Sequence, residues 1–227
     1  MLALDCSAAA CSAALTEDGR LIAHRFVAME RGQAEAIIPM ARSVVGGSGE
    51  GFRGLDGVAV TVGPGAFTGI RIGLAAARGI ALAAGVALWS VTSFEAVAHG
   101  TPAAERVGRA IVVVLDTKRS DLYVQVFTER LEPFSAPAIR AAAALPGWLL
   151  PGPLLIAGDA AESVRLVLAA AGRDARSASG RNLPDAIHVA EAARRSIGAA
   201  AAGRDPRPLY LRSPEVSTAS ASVRNRP

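Results

Sequence analysis

Residues 63–73 read Gly-Pro-Gly-Ala-Phe-Thr-Gly-Ile-Arg-Ile-Gly and follow a strand-like run, Val58-Ala59-Val60-Thr61-Val62. A glycine-rich turn between a strand and a helix is a place where phosphates bind, because free N–H groups and the helix dipole both favour an anion. Neither phosphate fingerprint fits. A Walker loop needs Gly-x-x-x-x-Gly-Lys-Ser/Thr, and here Gly63 is followed five residues later by Thr68 with no lysine after it. The dinucleotide pattern Gly-x-Gly-x-x-Gly has Thr68 in place of its third glycine. The helix that follows carries glycine at 69 and 73. Each costs roughly 0.5–1 kcal/mol relative to alanine, which predicts a second backbone, or a ligand, close to the helix start. An ordinary strand–turn–helix is the plain alternative.

Two aspartates are the other candidates. Leu2-Ala3-Leu4 ends at Asp5, and Ile111-Val112-Val113-Val114-Leu115 ends at Asp116. Two halves that each open with a strand, an aspartate and a hairpin suggest the two-lobed actin-like ATPase and sugar-kinase architecture, in which such aspartates face phosphates and metal between the lobes. The plain alternative is that both merely end strands. The histidines, His24, His99 and His188, lack metal-site spacing, so no metal site is expected. His24 is expected on a hairpin surface and His188 on the last helix. No Gly-x-Ser-x-Gly elbow exists, and no nucleophile–base–oxyanion set can be assembled. Cys6 and Cys11 are too few for a disulfide framework and read as buried free thiols.

The elements that position these residues fall into two similar halves. The first reads as strands at 2–4, 11–15 and 21–26, with an Asp18-Gly19 hairpin turn. An amphipathic helix over 33–45 follows, with Pro39 expected to bend or divide it. Then come a flexible loop over 46–51, a strand over 58–62, a helix over about 68–84, a strand over 88–91 and a helix from 93. The second half reads as strands at 111–116 and 122–127, a weaker strand, a helix near 141–149, a strand at 154–157 and a helix near 160–171. A helix over about 184–202 closes it, with Pro184 in its first turn. The expected fold class is α/β, with a mixed sheet and flanking helices in each lobe. The expected lobes are 1–103, joined by the helix near 184–203, and 104–183, followed by a tail over 204–227.

The chain has 227 residues, of which 51% are hydrophobic and 4% aromatic, so its cores are aliphatic. The apolar run from Ile72 to Trp89 is broken by Arg78, which predicts a buried soluble helix and strand rather than a membrane span. No signal peptide is recognisable at the start, and a cytoplasmic location is expected. The formal charge is +4, and the only lysine is Lys118. The arginines are scattered apart from Arg204, Arg207, Arg212, Arg224 and Arg226, which read as a solvated tail, with nucleic-acid contact as the lesser alternative.

The signature turn, with Gly63, Pro64, Gly65, Phe67, Thr68, Gly69 and Arg71, resembles over eleven consecutive positions that of the TsaB (YeaZ) family. So do Leu2-Ala3-Leu4-Asp5-Cys6-Ser7, Cys11-Ser12-Ala13-Ala14-Leu15, Ser90–Glu95, Leu115–Arg119 with Leu122-Tyr123, and Pro208-Leu209-Tyr210-Leu211-Arg212. The resemblance implies a non-catalytic protein of actin-like fold without cofactor or metal. It implies pairing with a TsaD-like catalytic subunit, which places a threonylcarbamoyl group on N6 of adenosine 37 in tRNAs reading ANN codons. It further implies a TsaE-like ATPase in the assembled complex, a homodimer when the chain is alone, and tRNA contact that is indirect or through the complex. One departure is Gly32-Gln33-Ala34-Glu35, where the family often has a His-Ser-Glu-like triplet. A vestigial nucleotide site at Asp5, Ser7, Asp116 and Gly158 is left open, and with it the alternative of an actin-like ATPase or small-molecule kinase.

The resemblance places the pairing surface on the helices over 33–45 and 68–84. The second helix has two apolar stripes, Ile70, Gly73, Leu74, Ala77 and Ile72, Ala75, Gly79, Leu82, and its own sheet can cover only one. The expected interface residues are Ile37, Ile38, Ala41, Ile70, Gly73, Leu74 and Ala77. On that expectation Gly73→Arg or Leu74→Asp would abolish pairing and leave the monomer folded. Mutual coverage by the two helices is the alternative.

Overall fold

The computed structural model describes residues 1–46, 51–197 and 206–212. Two five-stranded mixed sheets carry the fold. The first contains β1 (Leu2–Asp5), β2 (Ala10–Glu17), β3 (Arg20–Ala28), β4 (Gly57–Thr61) and β5 (Ala87–Val91), in the order β3-β2-β1-β4-β5. The second contains β6 (Ala110–Asp116), β7 (Leu122–Phe127), β8 (Ala138–Arg140), β9 (Leu154–Ala157) and β10 (Ala175–Ser177), in the order β10-β9-β6-β7-β8. In each sheet the first strand pairs antiparallel with the next strand of the chain and parallel with the strand that follows a crossover. The two halves therefore repeat one topology without repeating a sequence.

The hairpin between β2 and β3 forms where the chain carries Asp18-Gly19, both with positive φ (49° and 80°), the geometry that matches strand twist in a two-residue turn. β1 and β4 are apolar on both sides because both faces of the sheet are covered. On one face lie α1 (Gln33–Val45) and α2 (Phe67–Ala84), packed on Leu2, Leu4, Val58 and Val60. Pro39 lies within α1 without dividing it, on an exposed position. On the other face Ala3, Ala14, Ala59 and Trp89 meet α7 (Ala186–Ile197) through Val189, Ala190 and Ala193.

α3 (Ser93–His99) starts at a capping box: Glu95 N donates to Thr92 Oγ1 at 3.0 Å, and Thr92 N donates to the Glu95 carboxylate at 2.7 Å. Its Phe94, Val97 and Ala98 pack against Ile111, Val113, Leu115 and Phe127 of the second sheet, so this short helix joins the two halves. α4 (Ala103–Arg106) leads into β6. The expected helix over 141–149 is only a 3-10 turn at Ala142–Ala144 and one turn of α5 (Leu145–Trp148), because Pro146 and Gly147 do not sustain more. α6 (Ala161–Ala170) packs Val164 and Leu168 on the outer face of the second sheet.

Two local expectations are corrected. His24 is not a surface residue of the hairpin: it is half-buried, with Nε2 2.7 Å from Oδ1 of the buried Asp185. Asp185 also pairs with Arg181 at 3.1 Å and accepts from Ile187 N at 3.2 Å, so it caps α7 and holds it to β3. The tail is not wholly solvated either. Pro206–Arg212 runs against both halves: Leu209 N donates to Val62 O at 2.8 Å, and Arg212 pairs with Asp121 beside β7. Arg204, Arg224, Arg226, the end of the closing helix and most of the loop over 46–51 lie outside the described residues.

Candidate functional site: an interlobe cleft and a helical face

The turn after β4 brings the start of α2 onto the end of β1. Ala66 N donates to Ser7 O at 2.7 Å. A Cβ on Gly65 would stand 2.1 Å from Ser7 O, and one on Gly69 would stand 2.0 Å from Cys6 O. The backbone approach predicted from the glycines is therefore real at Gly69. Gly73 is looser, its Cβ position lying 3.5 Å from Val60 Cγ2 and 3.7 Å from Cys6 Cβ. Cys6 and Cys11 face each other as free buried thiols, 3.5 Å apart.

Beside this junction lies a cleft of about 520 Å³ between the halves, bordered by Ser7, Gln33 and Phe67 on one side and by Asp116, Lys118 and Asp159 on the other. Of the four residues expected to form a nucleotide site, Ser7 and Asp116 border this cleft and Asp5 and Gly158 do not. Asp5 is fully buried and turned inward. Its Oδ1 accepts from Ser7 N (3.1 Å), Ser7 Oγ (2.7 Å) and Thr61 Oγ1 (2.5 Å), while Oδ2 has no hydrogen-bond partner. Ser93 Oγ donates to Ser7 Oγ at 3.0 Å, extending the network to α3. Gly158 directly follows β9, and a Cβ on it would stand 2.0 Å from Val114 O. Asp5 is thus a strut between β1 and β4, and a phosphate-facing role does not fit its orientation.

Asp116 pairs with Lys118 Nζ at 2.9 Å, which holds its carboxyl below the usual range. Its N–H donates to Asp159 Oδ1 at 2.8 Å, and burial raises the Asp159 carboxyl. A polyphosphate here would meet three carboxylates, of Glu30, Asp116 and Asp159, and one ammonium that is already paired. Asp159 was not singled out from the sequence, although its place directly after Gly158 at a strand end is a signal of position. Among the described residues no group of three or more His, Cys, Asp or Glu side chains converges to hold a metal.

Burial raises the Asp5 carboxyl to about 6, against the opposing pull of its bonds to Thr61 and Ser7. An acid whose folded value is raised keeps its proton longer in the folded chain. The sign follows: its contribution to stability is greatest below the unfolded value near 3.8 and declines as pH rises towards about 6. Asp5→Asn keeps one oxygen for the three donors and cannot ionise. Its stability relative to the parent is expected to rise by about 3 kcal/mol between acid and neutral pH. Chemical denaturation of both chains at several pH values measures this, and parallel profiles would refute it.

The second candidate is the outer face of α1 and α2. Ile70, Gly73, Leu74 and Ala77 are all buried on the chain's own sheet, as are Ile37 and Ala41 of α1. Ile38 alone of the expected interface residues is partly exposed. The expected interface is corrected accordingly: the stripe of Ile70, Gly73, Leu74 and Ala77 faces β1 and β4, and the other stripe is the more open one. Ala75, Gly79 and Leu82 are exposed and Ile72 is half-buried, with Leu82 at 85%. Gly73→Arg or Leu74→Asp would break the core rather than a contact between chains. Of the signature turn, Gly63 and Pro64 are buried, Gly65, Phe67, Thr68 and Arg71 are exposed, and Gly69 is buried. Phe67 stacks on Tyr210 with centroids 5.3 Å apart.

Comparison with known proteins bears on both candidates. Residues 27–184 match the family model described as TsaD, tRNA N6-adenosine threonylcarbamoyltransferase. The chain is 32% identical over 123 residues to the tRNA threonylcarbamoyladenosine biosynthesis protein TsaB of Escherichia coli, covering 54% of this chain and 52% of that one. It is 33% identical over 134 residues to TsaB of Haemophilus influenzae, covering 58% and 55%. The matched stretch therefore spans about half the length of these curated relatives. A crystal structure from Pseudomonas aeruginosa, described as similar to the peptidase YeaZ, superposes with a TM-score of 0.79 at 22% identity, covering 93% of this chain and 98% of that chain. The fold is the two-lobed actin-like ATPase fold, with a mixed sheet and flanking helices in each half. Matched by the TsaD model over more than half its length, the chain belongs to the family that this model describes, and within it the curated relatives it resembles at 32–33% identity are TsaB proteins.

Proposed function

We propose that the chain is a non-catalytic subunit that pairs with a TsaD-like catalytic subunit and activates it in threonylcarbamoylation of N6 of adenosine 37 in tRNAs reading ANN codons. The observation that carries this reading is the exposed stripe Ala75, Gly79 and Leu82 on α2, bordered by the half-buried Ile72. Small and apolar residues on a helix surface allow a second helix to approach closely, and stable interfaces bury roughly 1,200–2,000 Å² in total. The cleft supports the same reading from the other side, since Asp5 is a buried strut and Asp116 is paired with Lys118. In this reading the chain alone forms a homodimer through the same face, a TsaE-like ATPase joins the complex, tRNA is met only through the complex, and the location is cytoplasmic. The lobes would be 1–103 with the helix near 184–203, and 104–183.

Reconstitution tests it. The TsaD-like and TsaE-like proteins of the same genome, with tRNA, ATP and the threonylcarbamoyl donor, are expected to modify adenosine only when this chain is added. Equal modification without it would refute the proposal.

A second reading, an actin-like ATPase or small-molecule kinase, draws on the cleft of about 520 Å³, within the size range of small-molecule sites. Calorimetric titration with ATP and magnesium separates the two. Binding in the micromolar range with turnover by this chain alone would favour the kinase reading, and no heat would favour the subunit.

A further inference from the structure

Beside the exposed stripe, α2 carries a row of charge that is ordered without being neutralised. Arg71 and Arg78 are exposed, seven residues apart and so on one side of the helix, and α2 contains no Asp or Glu. Among the described residues neither guanidinium meets a carboxylate. Arg71 Nε donates to the Tyr210 hydroxyl at 3.1 Å, and its guanidinium lies 3.8 Å from the centre of the Phe67 ring. Arg78 donates to the carbonyl of Pro206 at 2.8 Å. All three partners are neutral, and two of them belong to the strap Pro206–Arg212. The strap is itself fixed at Val62 in the first half and at Asp121 in the second. Much of the side-chain ordering that an arginine must undergo when it binds has therefore already occurred.

We propose that Arg71 and Arg78 form a cationic ridge that selects a docking partner carrying carboxylates opposite it, and that the same ridge disfavours a second copy of this chain. The inference rests on the reading of α2 as the docking face and adds the chemistry of what docks there. A carboxylate facing a pre-ordered guanidinium gains a charge-assisted, often bidentate bond. A second copy with its α2 antiparallel across a two-fold axis brings ridge against ridge, because that axis keeps flanking residues on the same side. Like charges brought together at an interface oppose association, and the apolar stripe must overcome that repulsion. The homodimer is thus the weaker assembly and gives way to the complex.

The test uses the full chain with Arg71→Glu and Arg78→Glu together, its neutral counterpart with both changed to Gln, and Ala75→Arg. Affinity for the TsaD-like subunit and self-association are each measured at about 0.05 M and about 0.5 M salt, where screening differs several-fold. The parent is expected to lose affinity for that subunit as salt rises. The Glu variant should bind it on the order of tenfold more weakly at low salt, gain affinity as salt rises, and self-associate no better than the parent, since like charges again face each other. The Gln variant should fall between the two in affinity for that subunit, lose the salt dependence, and self-associate more strongly than either. If Ala75→Arg blocks pairing while both ridge variants bind as the parent does, the docking face stands and the ridge is refuted. If Ala75→Arg also pairs normally, the docking face is refuted and the ridge with it.

Discussion

Gly69→Ala is expected to destabilise the chain by about 3 kcal/mol, a fall in Tm of roughly 6–12 °C for a protein of this size. The added methyl would stand 2.0 Å from Cys6 O, a backbone atom at the end of β1 that cannot rotate aside. Relief requires α2 to lift from β1, which strains the Ala66 N to Ser7 O bond and opens the layer of Ile70, Leu74 and Ala77 beneath it. The same helix supplies the control. Nothing lies within 4 Å of a Cβ on Gly79, and that residue is exposed. Gly79→Ala should stabilise the fold by about 0.5–1 kcal/mol through helix propensity alone. Thermal melts of the two variants should move in opposite directions. If Gly69→Ala melts with the parent, the close approach of α2 to β1 is wrong.

The second large effect is on association. Ala75→Arg, or Leu82→Asp, is expected to weaken pairing with the TsaD-like subunit by about 100-fold or more, equivalent to about 3 kcal/mol. Both side chains are exposed, Leu82 at 85%, so the folded monomer should keep its stability to within about 0.5 kcal/mol. Leu74→Asp is the informative contrast: Leu74 is 2% exposed, and a carboxylate there should unfold the chain before any question of pairing arises. Measured by titration calorimetry with a melt on each variant, loss of binding at unchanged Tm supports the outer face. Unchanged binding for both outer variants would remove it.

The contrast between Leu74 and Ala75 also marks how far the sequence could be read. The hairpin at Asp18-Gly19, the strand before Gly63, the helix after it and the repeat beginning at Ile111 all follow from local pattern, since turn residues and periodicity act within a few positions. That α2 has two apolar stripes is equally plain from spacing. Which stripe faces the sheet is not, because both are apolar and both include glycine. The choice is made by the 2.0 Å approach of Gly69 to Cys6 O, a contact across more than sixty positions of chain. Asp5 shows the same limit. A strand ending in aspartate looks alike whether the carboxyl faces a cleft or a neighbouring strand, and the hydroxyl of Thr61, far along the chain, turns it inward. The strap at Pro206–Arg212 has no periodicity to betray it, and its partners Val62, Phe67, Arg71 and Asp121 are distant in sequence. Nothing local to the hairpin shows that His24 is half-buried, because its partner Asp185 arrives from the other end of the chain.

These placements favour a division of labour within the molecule. The junction of β1, β4 and α2 is tightly built, while the outer face of α2 is open, apolar along its centre and cationic along its edge.

Light scattering on a sizing column addresses the central claim most directly, with the chain alone and mixed with the TsaD-like protein of the same genome at tens of micromolar. The account predicts a self-associated species that converts on mixing to a one-to-one complex with the mass of one copy of each chain. Two separate peaks at their own masses, with no complex at that concentration, would contradict it.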